Sequence, residues 1–126
     1  MADMVLLIGR WAGRTDIISE LQTSKYRVCH AEEGAEALRL LGYQTPCAVI
    51  MDEDQGFVPG VELLEALREA TSVPIIVEGS GEEQNIVKAL ILGADAYLDW
   101  SASPATVLAY LRALLRREES RKHWPP

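Results

Sequence analysis

Five short apolar runs, each followed by a segment with helical spacing, constrain this chain more than any other feature. The runs are "MVLLIG" (4–9), "YRVCH" (26–30), "CAVIMD" (47–52), "VPIIVE" (73–78) and "DAYLDW" (95–100). The more apolar ones show no polar alternation, which is the pattern of strands covered on both faces of a parallel sheet. After the first run, "AGRTDIISELQTS" sets Ile17, Ile18 and Leu21 at helical spacing, with Thr15 as a candidate cap. In "EEGAEALRLLGY" (32–43), Ala35, Leu38 and Leu41 form a stripe that ends near Gly42. "GVELLEALREA" (60–70) turns Val61, Leu64 and Leu67 inward and its Glu and Arg residues outward. "EEQNIVKALILG" (82–93) closes at Gly93, and "SPATVLAYLRALLRREE" (103–119) opens with Ser103 as cap and Pro104 in the first helical position. This order predicts a single doubly wound α/β domain, (βα)5, with a five-stranded parallel sheet and helices on both faces. The domain is expected over residues 1–118. The charged, Pro-terminated end (119–126) reads as a linker or tail.

The totals narrow the function. A length of 126 residues is about one domain. A net charge of −7 argues against direct nucleic acid binding by this segment, because phosphate contacts depend on a basic surface. No apolar run approaches the roughly 20 residues that cross a bilayer. The start "MADMVLLIGR" lacks a basic leader, so the cytoplasm is the expected location. Cys29 and Cys47 have no CxxC spacing and read as buried free thiols. His30 and His123 lack ligand spacing.

In a sheet of this kind the functional crevice lies beyond the carboxyl ends of the strands. That rule selects Gly9–Arg10, His30–Ala31, Asp52–Asp54, Glu78–Ser80 and Asp99–Trp100. The third run leads straight into three consecutive carboxylates, Asp52, Glu53 and Asp54. Clusters of this kind hold a metal ion or accept a charged group.

Three stretches, "PCAVIMDEDQGFVPGVELLEALRE", "VPIIVEGSGEE" and "GADAYLDWSASPATVLAYLRALLRR", together with "MVLLIG", resemble the receiver domain of two-component response regulators. The wording is closest to receivers of OmpR/PhoB-type winged-helix regulators, and the resemblance covers about residues 4 to 117. It implies a CheY-like, flavodoxin-like fold with Asp52 at the phosphoacceptor position. It also implies an altered pocket. Gly9 and Arg10 stand where the family has two metal-binding acids. Gly79, with Ser80 one place late, stands where the family has a hydroxyl residue, and Trp100 replaces its lysine. Tyr97 matches the family's switch aromatic. No catalytic residue and no cofactor are expected, and the Mg²⁺ site is expected to be lost.

Without the acidic pair and the lysine, a phosphoryl group with nearly two negative charges would sit among Asp52, Glu53, Asp54, Glu78 and Asp99. Two like charges about 4 Å apart repel by roughly 4 kcal/mol at a partly buried site. Phosphorylation is therefore expected to be weak or absent. Three readings of Arg10 stay open: a bidentate pair with Asp52 in place of the ion, a solvent-facing side chain, or phosphate binding. Asp52 reads as a loop hydrogen-bond acceptor, a relay acceptor or a salt-bridge anchor. Tyr97 reads as fixed packing or as a switch, and Trp100 as a lid or as packing.

The helix at 82–93 holds more apolar residues than one buried stripe needs. A homodimer face is expected over Ile86, Lys88, Leu90, Asp95, Tyr110 and Arg112, with packing inside a monomer as the alternative. The resemblance implies a histidine kinase as donor and control of a DNA-binding output through dimerisation. A free-standing adaptor that binds a protein partner is the second reading. An enzyme fares worst, since no GxGxxG follows the first run, no GxSxG exists, and "GSGEE" (79–83) is too short and acidic for a phosphate loop.

Overall fold

The structure is a computed structural model and describes residues 3–9, 14–54 and 61–122. Among the described residues, five strands alternate with five helices: β1 (Met4–Ile8), α1 (Thr15–Thr23), β2 (Arg27–Ala31), α2 (Gly34–Leu41), β3 (Ala48–Asp52), α3 (Val61–Ala70), β4 (Ile75–Gly79), α4 (Glu83–Leu92), β5 (Ala96–Asp99) and α5 (Pro104–Lys122). All strand pairs are parallel, in the order β2-β1-β3-β4-β5. The expected (βα)5 architecture is the one observed.

Strand alternation divides the core between the two faces of the sheet. Val5, Leu7, Ile50 and Ile76 pack beneath α1 and α5, against Ile17, Leu21, Val107 and Leu111. Leu6, Ile8, Val49, Met51, Ile75 and Val77 face the opposite way, toward Ala37, Leu64, Leu67 and Ala89 of α2, α3 and α4. The three central strands are buried along their length, apart from the half-buried Asp52 that ends β3. Cys29 and Cys47 are free thiols, but half-buried rather than buried.

Local signals behave unevenly. Ser103 does cap α5, with its hydroxyl accepting the Thr106 N–H at 3.2 Å. Thr15 does not cap α1. It is the first helical residue, and Arg14 occupies the cap position. Gly93 ends α4 at φ 120, where a side chain would also strike Arg68. The last helix runs through Lys122, so the boundary expected at residue 118 falls inside α5. The Arg121–Glu118 pair at 3.1 Å links successive turns there.

Arg68 departs most from its expected outward place. Its guanidinium donates to the carbonyls of Gly93 (2.8 Å), Thr71 (3.0 Å) and Val73 (2.5 Å) and to Asp95 Oδ2 (3.0 Å). Asp95 Oδ2 also accepts the Ile75 N–H at 2.8 Å. One planar cation thereby ties α3 to the segment before β4 and to the turn between α4 and β5.

Candidate functional site

The carboxyl rim of the sheet carries two sets of polar residues, one on each face. Register explains the division. Asp52 is the Cα partner of Glu78, so both side chains leave the sheet on the α1 side. Gly79 is the next residue along β4 and faces the other way, toward Glu53 and Tyr97. Glu78, rather than Gly79, is thus the β4 residue that shares a face with Asp52. A one-residue displacement along a strand reverses the face.

On the α1 face, Glu78 is 1% exposed, an uncommon burial for a carboxylate. Arg14, at the start of α1, brings Nη2 to 2.8 Å from Glu78 Oε1. The approach lies off the axis of a hydrogen bond, so neither Glu78 oxygen has an aligned donor among the described residues. Burial raises the Glu78 pKa above its ordinary value, and Arg14 opposes that rise. Burial also raises Asp52, with the backbone N–H of Asp54 opposing it and the charges of Asp54 and Glu53 adding to it. Asp52 Oδ1 accepts that N–H at 2.9 Å. Arg14 lowers Asp52 as well, through its charge alone. Among the described residues, Arg14 is thus the cation that reaches Glu78 and acts on Asp52. Arg10 lies outside the described residues, as do the rest of the β1–α1 connection (10–13) and the segment 55–60. Gly9 ends β1 at φ 122, and its carbonyl lies 2.6 Å from His30 Nε2.

On the opposite face, Glu53 is 5% exposed. Its Oε1 accepts the Tyr97 hydroxyl, and its Oε2 accepts the Ser80 N–H at 3.2 Å. The Tyr97 oxygen in turn accepts the Gly81 N–H at 3.1 Å. Burial, then the hydrogen bond to Glu53, pushes the Tyr97 phenol up to about 12. A Cβ on Gly79 would run into the Tyr97 hydroxyl and the Glu53 carboxylate, so glycine is what admits this contact. Trp100 is 39% exposed, and its backbone N–H donates to the Gly79 carbonyl at 2.8 Å. Asp99 points outward and binds the Ser101 hydroxyl at 2.6 Å, which holds its pKa below the ordinary value.

Farther along the surface, Val87, Leu90, Ile91 and Tyr110 are 48, 47, 77 and 46% exposed. Lys88 and Arg112 are exposed beside them, and Ile86 is half-buried. Asp95, expected at the rim of this face, is exposed and bonded to Arg68 and the Ile75 N–H. A cavity of about 680 Å³ lies at the other end of the sheet among Asp3, Met4, Arg27, Cys47, Val73 and Leu115. There burial and the Asp3 charge push the Cys47 thiol up to about 11, which keeps it protonated and unreactive. No helix of the described residues is long and apolar enough to cross a membrane.

Three comparisons agree with this architecture. The family model of the response regulator receiver domain matches residues 13–112. The alkaline phosphatase synthesis transcriptional regulatory protein PhoP of Bacillus subtilis is 35% identical over 101 residues, 79% of this chain and 42% of the relative. The transcriptional regulatory protein SrrA of Staphylococcus aureus is 32% identical over the same span of 101 residues, again 79% and 42%. The chain thus spans about two-fifths of the length of these relatives. Among solved structures, a CheY-like receiver domain protein from Methanospirillum hungatei superposes with a TM-score of 0.84 at 22% identity, covering 96% of this chain and 99% of that one. A Burkholderia pseudomallei response regulator with a phosphorylated aspartic acid and a calcium ion gives 0.78 at 23%, covering 98% and 75%. Fold, strand order and family match coincide, and the chain belongs to the response regulator receiver domain family.

Proposed function

We propose that this chain is an atypical receiver whose pocket is set by its own residues, with phosphorylation of Asp52 weak or absent. The Arg14–Glu78 pair at 2.8 Å, beside Asp52 on the same face, carries the reading. Receivers normally bind Mg²⁺, a hard ion that wants several oxygens around it. Here Gly9 offers no carboxylate, Glu78 is engaged by a guanidinium, and that guanidinium repels a second cation. The donor set does not fit the ion. Nor does Trp100 offer a charge to a phosphoryl group.

Signalling, not catalysis, is the role that follows, in the cytoplasm and with a histidine kinase as the ancestral partner. The output is a symmetric homodimer through α4, β5 and α5, supported by the exposed Leu90, Ile91 and Tyr110. In a longer protein like the transcriptional regulators above, that dimer would position a DNA-binding domain. A free-standing adaptor would use the same apolar face for a different protein.

Mass spectrometry after incubation with acetyl phosphate and Mg²⁺ tests the pocket. The unaltered chain is expected to show no Asp52 adduct. A variant that combines Gly9→Asp, Arg10→Asp, Arg14→Ala, Glu78→Thr and Trp100→Lys should gain one. A high-occupancy adduct on the unaltered chain overturns the reading.

A further inference from the structure

We propose that Glu53 is a built-in latch that holds Tyr97 inward and seats the β4–α4 loop, so that the start of α4 keeps one position with no group on Asp52. The inference deepens the set-pocket reading and rests on it. Glu53 directly follows the acceptor position, so β3 delivers both residues to the rim, on opposite faces. A buried carboxylate needs donors to offset its lost hydration. Glu53 has two, the Tyr97 hydroxyl on β5 and the Ser80 N–H beyond β4.

From Ser80 the contacts continue into α4. The Ser80 hydroxyl oxygen accepts the Glu82 N–H at 3.3 Å and the Asn85 side-chain amide at 3.4 Å. Gly81 adds its N–H to the Tyr97 oxygen from φ 87, a conformation that favours glycine. Two glycines thus make room for the latch. Gly79 leaves space for the hydroxyl, and Gly81 turns the loop onto it. The helix positioned in this way carries the exposed Val87, Leu90 and Ile91. A rigid carboxylate supplied by the chain therefore holds the helix that bears the apolar face.

Residue-resolved amide hydrogen exchange tests the latch on Tyr97→Phe, Glu53→Ala and the double variant. Each single change is expected to speed exchange at Ser80 and Gly81 about tenfold, the effect of losing one well-made hydrogen bond. Leu6 and Ile50 should keep their rates, and the double variant should be no faster than the faster single one. Should Glu53→Ala not fold, Glu53→Gln takes its place, because its amide turns a donor toward one of the two donors. Unchanged rates at Ser80 and Gly81, singles that multiply in the double variant, or equal acceleration at Leu6 and Ile50 would each overturn the proposal. No phosphodonor enters this experiment. Its failure would leave the phosphorylation result standing, and a phosphorylated Asp52 would leave the exchange result standing.

Discussion

Glu78 is 1% exposed at the end of a strand, and burial raises its pKa above the usual 4.5. The folded chain therefore binds this proton at a pH where the unfolded chain has already lost it. Between the ordinary and the raised value, stability falls as pH rises. Asp52 shifts in the same direction and adds to the slope. In urea unfolding, the unaltered chain should gain stability relative to Glu78→Gln as pH falls from 7 to 5. A constant difference would contradict the assignment. Arg14→Ala should cost about 2–3 kcal/mol at pH 7, below the usual figure for a broken buried pair because Arg14 is itself 24% exposed. Neither role was legible in the sequence. Arg14 precedes a helix, and only the fold brings it across to β4. Glu78 was missed because one residue along a strand decides the face.

At the scale of elements, apolar runs and helical stripes located the five strands and five helices of the described residues, since burial on both faces writes a dense local signal. Helix ends were less legible. Thr15 has the right chemistry for a cap but sits one residue inside α1, and α5 continues through "ESRK" because nothing before Pro125 stops it. Arg68 carried no sequence signal at all. Two of its four acceptors, Thr71 and Val73, follow α3, and the others are Gly93 at the end of α4 and Asp95 at the entry to β5. Arg68→Lys should destabilise the chain by about 2 kcal/mol, nearly as much as Arg68→Met, since one ammonium cannot span acceptors arranged for a planar fork. Rescue by lysine to the level of the unaltered chain, measured by urea unfolding, would reduce Arg68 to a simple charge.

For the molecule as a whole, the two polar sets at the rim have separate tasks. Arg14 and Glu78 occupy the acceptor face with an internal ion pair, while Glu53 and Tyr97 hold the loop that leads to α4. The family and the fold were legible from the sequence because they depend on the core and on the strand order. Among the described residues, Arg14, just before α1 and four residues after Arg10, brings its guanidinium to this face. Under the proposed function, such a receiver presents its α4 face continuously.

Sedimentation velocity with and without Mg²⁺ and beryllofluoride, over a range of chain concentrations, tests that description most directly. The same monomer–dimer distribution is predicted in both conditions at every concentration, with Leu90→Glu shifting it to monomer in both. A dimer that forms only when the phosphoryl mimic is added would contradict it.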